Sequence, residues 1–111
     1  MNPAELAREI IAVYQKHDWK LQRVLLRPEA RAKITSDEAQ IFEGASIHEG
    51  SIDALWFSRP SYGNREAWEL RWLSETQYAL FETFEKDEAE EAREEVRREM
   101  EARLLDYVTK R

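Results

Sequence analysis

The side chains of this chain with chemistry to offer are two histidines, a set of turn serines, 23 carboxylates and arginines placed near aromatic rings. His17 adjoins Asp18, and His48 adjoins Glu49, with Glu43 and Asp53 close in sequence. A divalent metal needs three or four converging ligands and a supporting shell. Neither histidine falls in a pattern such as His-Glu-x-x-His, so no metal site is predicted. Nucleophilic hydrolysis needs an activated Ser, Thr or Cys beside a base. The chain has no Cys and no G-x-S-x-G elbow, and five of its serines, Ser46, Ser51, Ser58, Ser61 and Ser74, sit in or near turns. Gly44, Gly50 and Gly63 are the only glycines, and they build neither G-x-G-x-x-G nor a P-loop. The acids from Glu85 to Glu101 read as a solvated helix face. No catalytic residue and no cofactor is expected.

Binding remains. The run Ser58-Arg59-Pro60-Ser61-Tyr62-Gly63-Asn64-Arg65 sets arginines beside an aromatic ring, a combination that recognises ligands through cation–π contacts or guanidinium hydrogen bonds. Its plainer reading is a hairpin tip. With His48, Glu49 and Arg71, the residues Arg59 and Tyr62 would give a pocket between sheet and helices a base, a carboxylate and guanidinium anchors. Nucleic acid is not the expected partner, because a net charge of −6 repels phosphate backbones. The local exception is Lys20, Arg23, Arg27, Arg31 and Lys33, within a segment 1–36 that holds seven basic and four acidic side chains. That cluster reads as a solvated or internally paired face. No apolar stretch approaches the ~20 residues of a membrane span. Together with the missing cysteines and the lack of a signal-peptide core, this predicts a cytoplasmic protein.

These residues must be positioned by a small set of elements. Asn2 caps a first helix, Pro3 takes its first position, and Glu5 completes a capping box. Leu6, Ile10, Val13, Tyr14 and His17 form its apolar stripe. Trp19–Arg27 reads as a strand whose alternation changes phase: Trp19 and Leu21 share one face, Val24 and Leu26 the other. A bulge near Gln22, or burial on both faces, reconciles them. Pro28 opens a short helical turn. Residues 35–51 are the least regular, with Gln40–Phe42 a short strand or helical turn and room for one more strand.

Ile52–Arg59, Glu66–Leu73 and Gln77–Phe84 read as three strands of a meander. One register of the first hairpin pairs Arg59 with Glu66, Phe57 with Trp68 and Leu55 with Leu70. The register of the second stays open. A long helix follows, with Asp87 as its cap and Glu94–Arg98 and Glu99–Arg103 as i,i+4 pairs. Its stripe is Ala89, Ala92, Val96, Met100, Leu104, Tyr107 and Val108. From 88 to 109 it would run about 33 Å, long enough for one end to project or meet a partner. The expected architecture is a single α+β domain over 1–111: an antiparallel sheet of about four strands, flanked by an N-terminal helix and a long C-terminal helix.

Eight of the twelve aromatic residues lie in 52–84. Trp56 and Phe57 are neighbours and must point to opposite faces of their strand, as must Leu80 and Phe81. Water must therefore be kept off both faces. Either the two helices cover opposite faces, or a dimer or partner covers one, since Trp and Tyr concentrate at interface centres. On the second alternative the interface residues are Trp56, Tyr78, Leu80, Met100, Leu104 and Tyr107. The leading expectation is a non-enzymatic interaction module, a homodimer or a protein's partner. The competing one is a small-ligand binder or enzyme with a pocket between sheet and helices.

Overall fold

The computed structural model describes all 111 residues. Its helices are α1 (Pro3–Lys16), α2 (Pro28–Ala32) and α3 (Glu90–Thr109), and its strands are β1 (Lys20–Leu26), β2 (Ser46–Glu49), β3 (Ala54–Pro60), β4 (Arg65–Trp72) and β5 (Ala79–Glu85). The strands form one sheet in the order β2-β1-β3-β4-β5. All neighbours are antiparallel except β1 and β2, which run parallel. The fold is thus α+β with a mixed sheet of five strands, one more than the sequence suggested. A 3-10 turn over Glu38–Phe42 drops the buried Phe42 onto the α1 side.

Local chemistry explains the first elements. The Asn2 side chain accepts the Glu5 N–H at 2.8 Å and its amide donates to the Glu5 carboxylate at 2.9 Å, so the cap is reciprocal. The helix ends at His17, and Asp18 takes a left-handed φ of 66° that turns the chain into β1. Asp tolerates that region better than most residues. The register between β1 and β3 skips at Gln22, from Leu21↔Phe57 to Arg23↔Trp56. The bulge puts Leu21, Val24 and Leu26 all on the α1 side, with Leu25 on the other.

The sheet separates two cores. On one face α1 covers Leu55 and Phe57 with Ile10, Ile11 and Trp19. On the other α3 covers Trp56, Trp68, Leu70 and Phe84 with Met100 and Leu104. Trp56 and Phe57 point apart, as neighbours on a strand must, and both are fully buried. The second aromatic face is closed by this chain's own α3, and Trp56, Met100 and Leu104 are interior side chains, out of reach of an interface.

Several local expectations are corrected. In the first hairpin Phe57 pairs with Glu69, Ser58 with Trp68 and Trp56 with Leu70, one residue away from the expected register. Side-chain period is two, so that slip changes faces. Phe57 stacks on Tyr14 at 4.1 Å under α1, whereas Trp68 meets Trp56 edge-on at 5.9 Å under α3; they serve different cores. The loop Ser61–Asn64 closes with Ser61 N–H donating to Arg65 C=O at 2.9 Å, and Gly63 and Asn64 adopt left-handed φ of 63° and 62°.

The long helix starts at Glu90 with Ala89 at its cap position and no side-chain cap, so Asp87 does not serve. Its buried positions are Arg93, Arg97, Met100 and Leu104, while Ala89 and Ala92 face water. Glu94 turns inward, its carboxylate 2.8 Å from Arg23 and 3.0 Å from Arg97, so the Glu94–Arg98 pair does not form; nor does Glu99–Arg103. Neither end of α3 projects: Arg93 donates to Glu85 C=O at 2.6 Å, and Tyr107 stacks on Tyr78 at 3.7 Å.

Candidate functional site

The five residues expected to share a pocket fall in four places. His48 and Glu49 lie together at the exposed end of β2, where His48 Nε2 meets Ser46 Oγ at 2.9 Å. Arg59 sits at the opposite end of the sheet, its guanidinium 4.4 Å from the Trp19 ring centre and donating to His17 C=O at 2.7 Å. Tyr62 is 95% exposed at the tip of the β3–β4 hairpin. Arg71 is buried on the α1 side of β4. The pocket expected of them does not assemble, because β2 and β4 lie on opposite sides of β1 and β3. Asp53, close to His48 in sequence, is taken by Arg27, accepting its N–H at 2.7 Å and Nη2 at 2.9 Å.

A groove of about 460 Å³ runs between β2 and α3, lined by Arg23, His48, Glu49, Glu94, Arg98 and Glu101 among others. Two of its charges, Arg23 and Glu94, occupy each other. Arg23 holds Glu94 in a two-pronged contact at 2.8 and 3.0 Å, and Glu101 accepts the Trp56 indole N–H at 2.8 Å. Hydrogen bonding to Arg23, with help from Arg97, holds the Glu94 carboxyl at about 2 against its ordinary 4.5. The basic cluster around Arg23 and Arg27 is internally paired for those two members.

A folded-state value below the unfolded one stabilises the protein above the unfolded value, and that contribution disappears as pH falls through the folded one. Glu94→Gln should therefore lower stability near neutrality by about 1–2 kcal/mol, allowing for the carboxylate's partial exposure. Urea midpoints of the two proteins should converge between pH 4.5 and about 2. A gap that does not change with pH would contradict this account.

A second groove, about 580 Å³, lies between α1 and the connection from β4 to β5. Leu6, Val13, Tyr78 and Ala79 line it, with Arg71 at its base. Tyr14 stands beside it, and its hydroxyl donates to Glu69. Burial, then that hydrogen bond and the Glu69 charge, raise the Tyr14 pKa far above the ordinary phenol value. Burial lowers the pKa of Arg71, while Tyr14 and Glu69 pull it back up.

The third feature is the β5 edge. β5 has β4 on one side and no strand on the other. Trp72 N–H donates to Tyr78 C=O at 3.0 Å and Leu70 lies opposite Leu80, which fixes the phase. Even-numbered residues of β5 bond to β4, and Ala79, Phe81, Thr83 and Glu85 turn their N–H and C=O groups outward. The far end of that edge is already covered: Glu85 N–H donates to Glu88, and Glu85 C=O accepts from Arg93. Thr83 N–H donates to the Glu82 carboxylate at 3.2 Å. Ala79 and Phe81 remain open, and the Phe81 ring is 58% exposed, touching Trp19 edge-on at 6.4 Å.

Of the remaining expected interface residues, Tyr78, Leu80 and Tyr107 are half-buried against the α3-side core. Phe81 and Val13 were missed as surface residues. The buried positions of α1 are Ala4, Ala7, Ile10 and Ile11, with Tyr14 half-buried beside them; Ile10 of the expected stripe is among them, while Val13, at 54% exposure, and His17 lie outside. For Phe81 the signal was topological: the last strand of a meander is an edge, and a first helix of 14 residues, about 21 Å, does not reach across every strand.

No helix is long and apolar enough to cross a membrane, and no group of three or more His, Asp or Glu side chains is placed to hold a metal ion. Neither a protein-family model, nor a curated protein, nor a solved structure matches the chain.

Proposed function

We propose that the chain is a non-enzymatic interaction module of the cytoplasm that self-associates by joining the β5 edges of two copies into one continuous sheet. The single observation that carries this reading is the unprotected stretch Ala79–Phe81, with outward backbone groups beside an exposed aromatic ring. Natural edges are usually guarded by lysine, proline, a bulge or short length. The β2 edge is four residues long, whereas β5 has seven, without Lys, Pro or a bulge.

The sequence of β5 also favours one way of pairing. A two-fold axis at Phe81 sets Phe81 against its copy and Ala79 against Thr83, whose N–H exchanges the Glu82 carboxylate for the Ala79 C=O of the second copy. Leu80 then faces Glu82, Phe84 faces Tyr78, and Glu85 faces Gln77, so no carboxylate opposes another. An axis at Glu82 would set Glu82 against itself, which cross-strand pairing disfavours.

Because residue 81 meets itself, Phe81→Lys places two ammonium groups opposite each other. Wild-type protein should show a concentration-dependent dimer by light scattering, and Phe81→Lys a monomer. The urea midpoint of monomeric protein should move by no more than about 0.5 kcal/mol equivalent, as expected for a surface substitution. A wild type that stays monomeric at millimolar concentration, or a variant that still dimerises, would end the proposal.

A further inference from the structure

The groove between α1 and the β4–β5 connection presents a cation without a counter-ion. Arg71 is buried, only 8% exposed, yet it forms no ion pair. Every other deeply buried arginine in the chain has one: Arg93 with Glu66 and Arg97 with Glu90 and Glu94. Arg71 is held by one nitrogen only. Nη1 donates to the carbonyls of Trp72, Ser74 and Thr76, the last two at 3.2 Å, which fixes the side chain in place. Nε and Nη2 have no protein acceptor, and neither is sealed from solvent. Since Arg71 lines the groove, that free side of the guanidinium is its one cationic side-chain feature, beside the apolar Leu6, Val13, Tyr78 and Ala79 and the acids Glu9 and Glu75.

A buried charge without a partner is costly, and a planar guanidinium with an open side matches a carboxylate. Glu69, two residues away on the same strand face, accepts from the Tyr14 hydroxyl and acts on Arg71 through its charge without forming an ion pair with it. Glu9 from α1 and Glu75 from the connection stand on the groove walls. Their charges disfavour a multiply charged guest such as phosphate, while leaving room for a monoanion whose remainder is apolar. Leu6, Val13, Tyr78 and Ala79 supply the surface for that remainder. The volume, about 580 Å³, lies within the range of small-molecule sites.

We infer that this groove binds a monocarboxylate with an aliphatic chain, its head on the open side of the Arg71 guanidinium and its chain along Leu6 and Val13. The inference rests on Arg71 and not on self-association; because Ala79 lies both on the groove and on the β5 edge, the titration is made in monomeric Phe81→Lys protein, whose substitution is outside the groove.

Sodium octanoate titrated into this protein, ¹⁵N-labelled, tests it, with 1-octanol and inorganic phosphate as controls. Octanoate should shift the amides of Leu6, Val13 and Ala79 together with the Arg71 Nε–H signal. Octanol should bind at least tenfold more weakly, and phosphate should leave these signals in place. Arg71→Gln should reduce octanoate to the affinity of octanol. Should that variant fail to fold, Val13→Glu tests the same point, since Val13 is exposed and its replacement would set a carboxylate beside the chain's path; a tenfold or greater loss is expected. Equal binding of octanol and octanoate, shifts confined to other parts of the protein, or undiminished affinity in Val13→Glu would overturn the inference.

Discussion

Arg97→Ala is expected to cost about 3–5 kcal/mol, the loss typical of removing one partner from a buried charge arrangement. The Arg97 side chain is 2% exposed, its guanidinium carbon lies 4.0 Å from the Trp68 ring centre, and Nη1 reaches Glu90 at 2.7 Å and Glu94 at 3.0 Å. Alanine would leave a void over Trp68 and deprive both carboxylates of a cation. Arg97→Met separates the two effects. Methionine refills the space above the ring, Glu90 is mostly in water already, and Glu94 keeps Arg23. The methionine variant should therefore lose no more than roughly half as much, since apolar replacements of buried ion pairs are well tolerated. Urea unfolding of both proteins measures this. An alanine variant within ~1 kcal/mol of wild type, or a methionine variant equally damaged, would show that Arg97 is not what joins α3 to the sheet.

Trp56→Ala should cost about 3–5 kcal/mol, the usual loss for deleting a large aromatic from a packed core. That is a large share of the 5–15 kcal/mol that holds an ordinary domain together. Trp56 is fully buried, lies against Trp68, and donates its indole N–H to Glu101. The loss should appear as a lowered urea midpoint in protein that is already monomeric through Phe81→Lys. Trp56→Phe should fall well short of it, because most of the ring volume is kept and Glu101 is only half-buried. If Trp56→Ala changed the oligomeric state and left the midpoint alone, Trp56 would be an interface residue after all.

The elements that could be read in the sequence are those marked by local chemistry. Asn2, Pro3 and Glu5 specify the start of α1 without reference to any other part of the chain, and Pro28 does the same for α2. The change of phase at Gln22 was visible in the sequence, which offered a bulge or burial on both faces to reconcile it; the register shift between Leu21 and Arg23 is the bulge. The adjacent rings of Trp56 and Phe57 required two covered faces, and α1 and α3 cover them. The parallel strand β2 left little trace: Ser46–Glu49 has one half-buried position, Ile47, and hardly an alternation to detect.

The failures share a cause. Charge along the C-terminal helix reads as a sign of solvent, yet Arg93 and Arg97 lie inward, because flat guanidinium groups stack on Phe84 and Trp68 while carboxylates close over their edges. A hydrophobic pattern does not register that arrangement. The same assumption concerned the first hairpin, where matching Arg59 to Glu66 outweighed the question of which core each aromatic ring must enter. Of the ligand candidates, Arg71 entered a groove because its position on β4 faces α1. His48, Arg59 and Tyr62 were chosen for side-chain type alone, and the strand order scatters them.

The sheet acts as a partition between two coats of different material. The coat on the α1 side is held chiefly by hydrocarbon, apart from the Tyr14–Glu69 hydrogen bond and Arg59 on the Trp19 ring, whereas the N-terminal half of the α3 coat is held by opposite charges and by cations lying on rings. Acid neutralises the second kind of adhesive and concentrated salt dilutes it, while neither weakens the first. The molecule therefore has a preferred place to come apart: α3 loosens while α1 and the strands beneath it still cohere, and the rings it uncovers are Trp68 and Phe84.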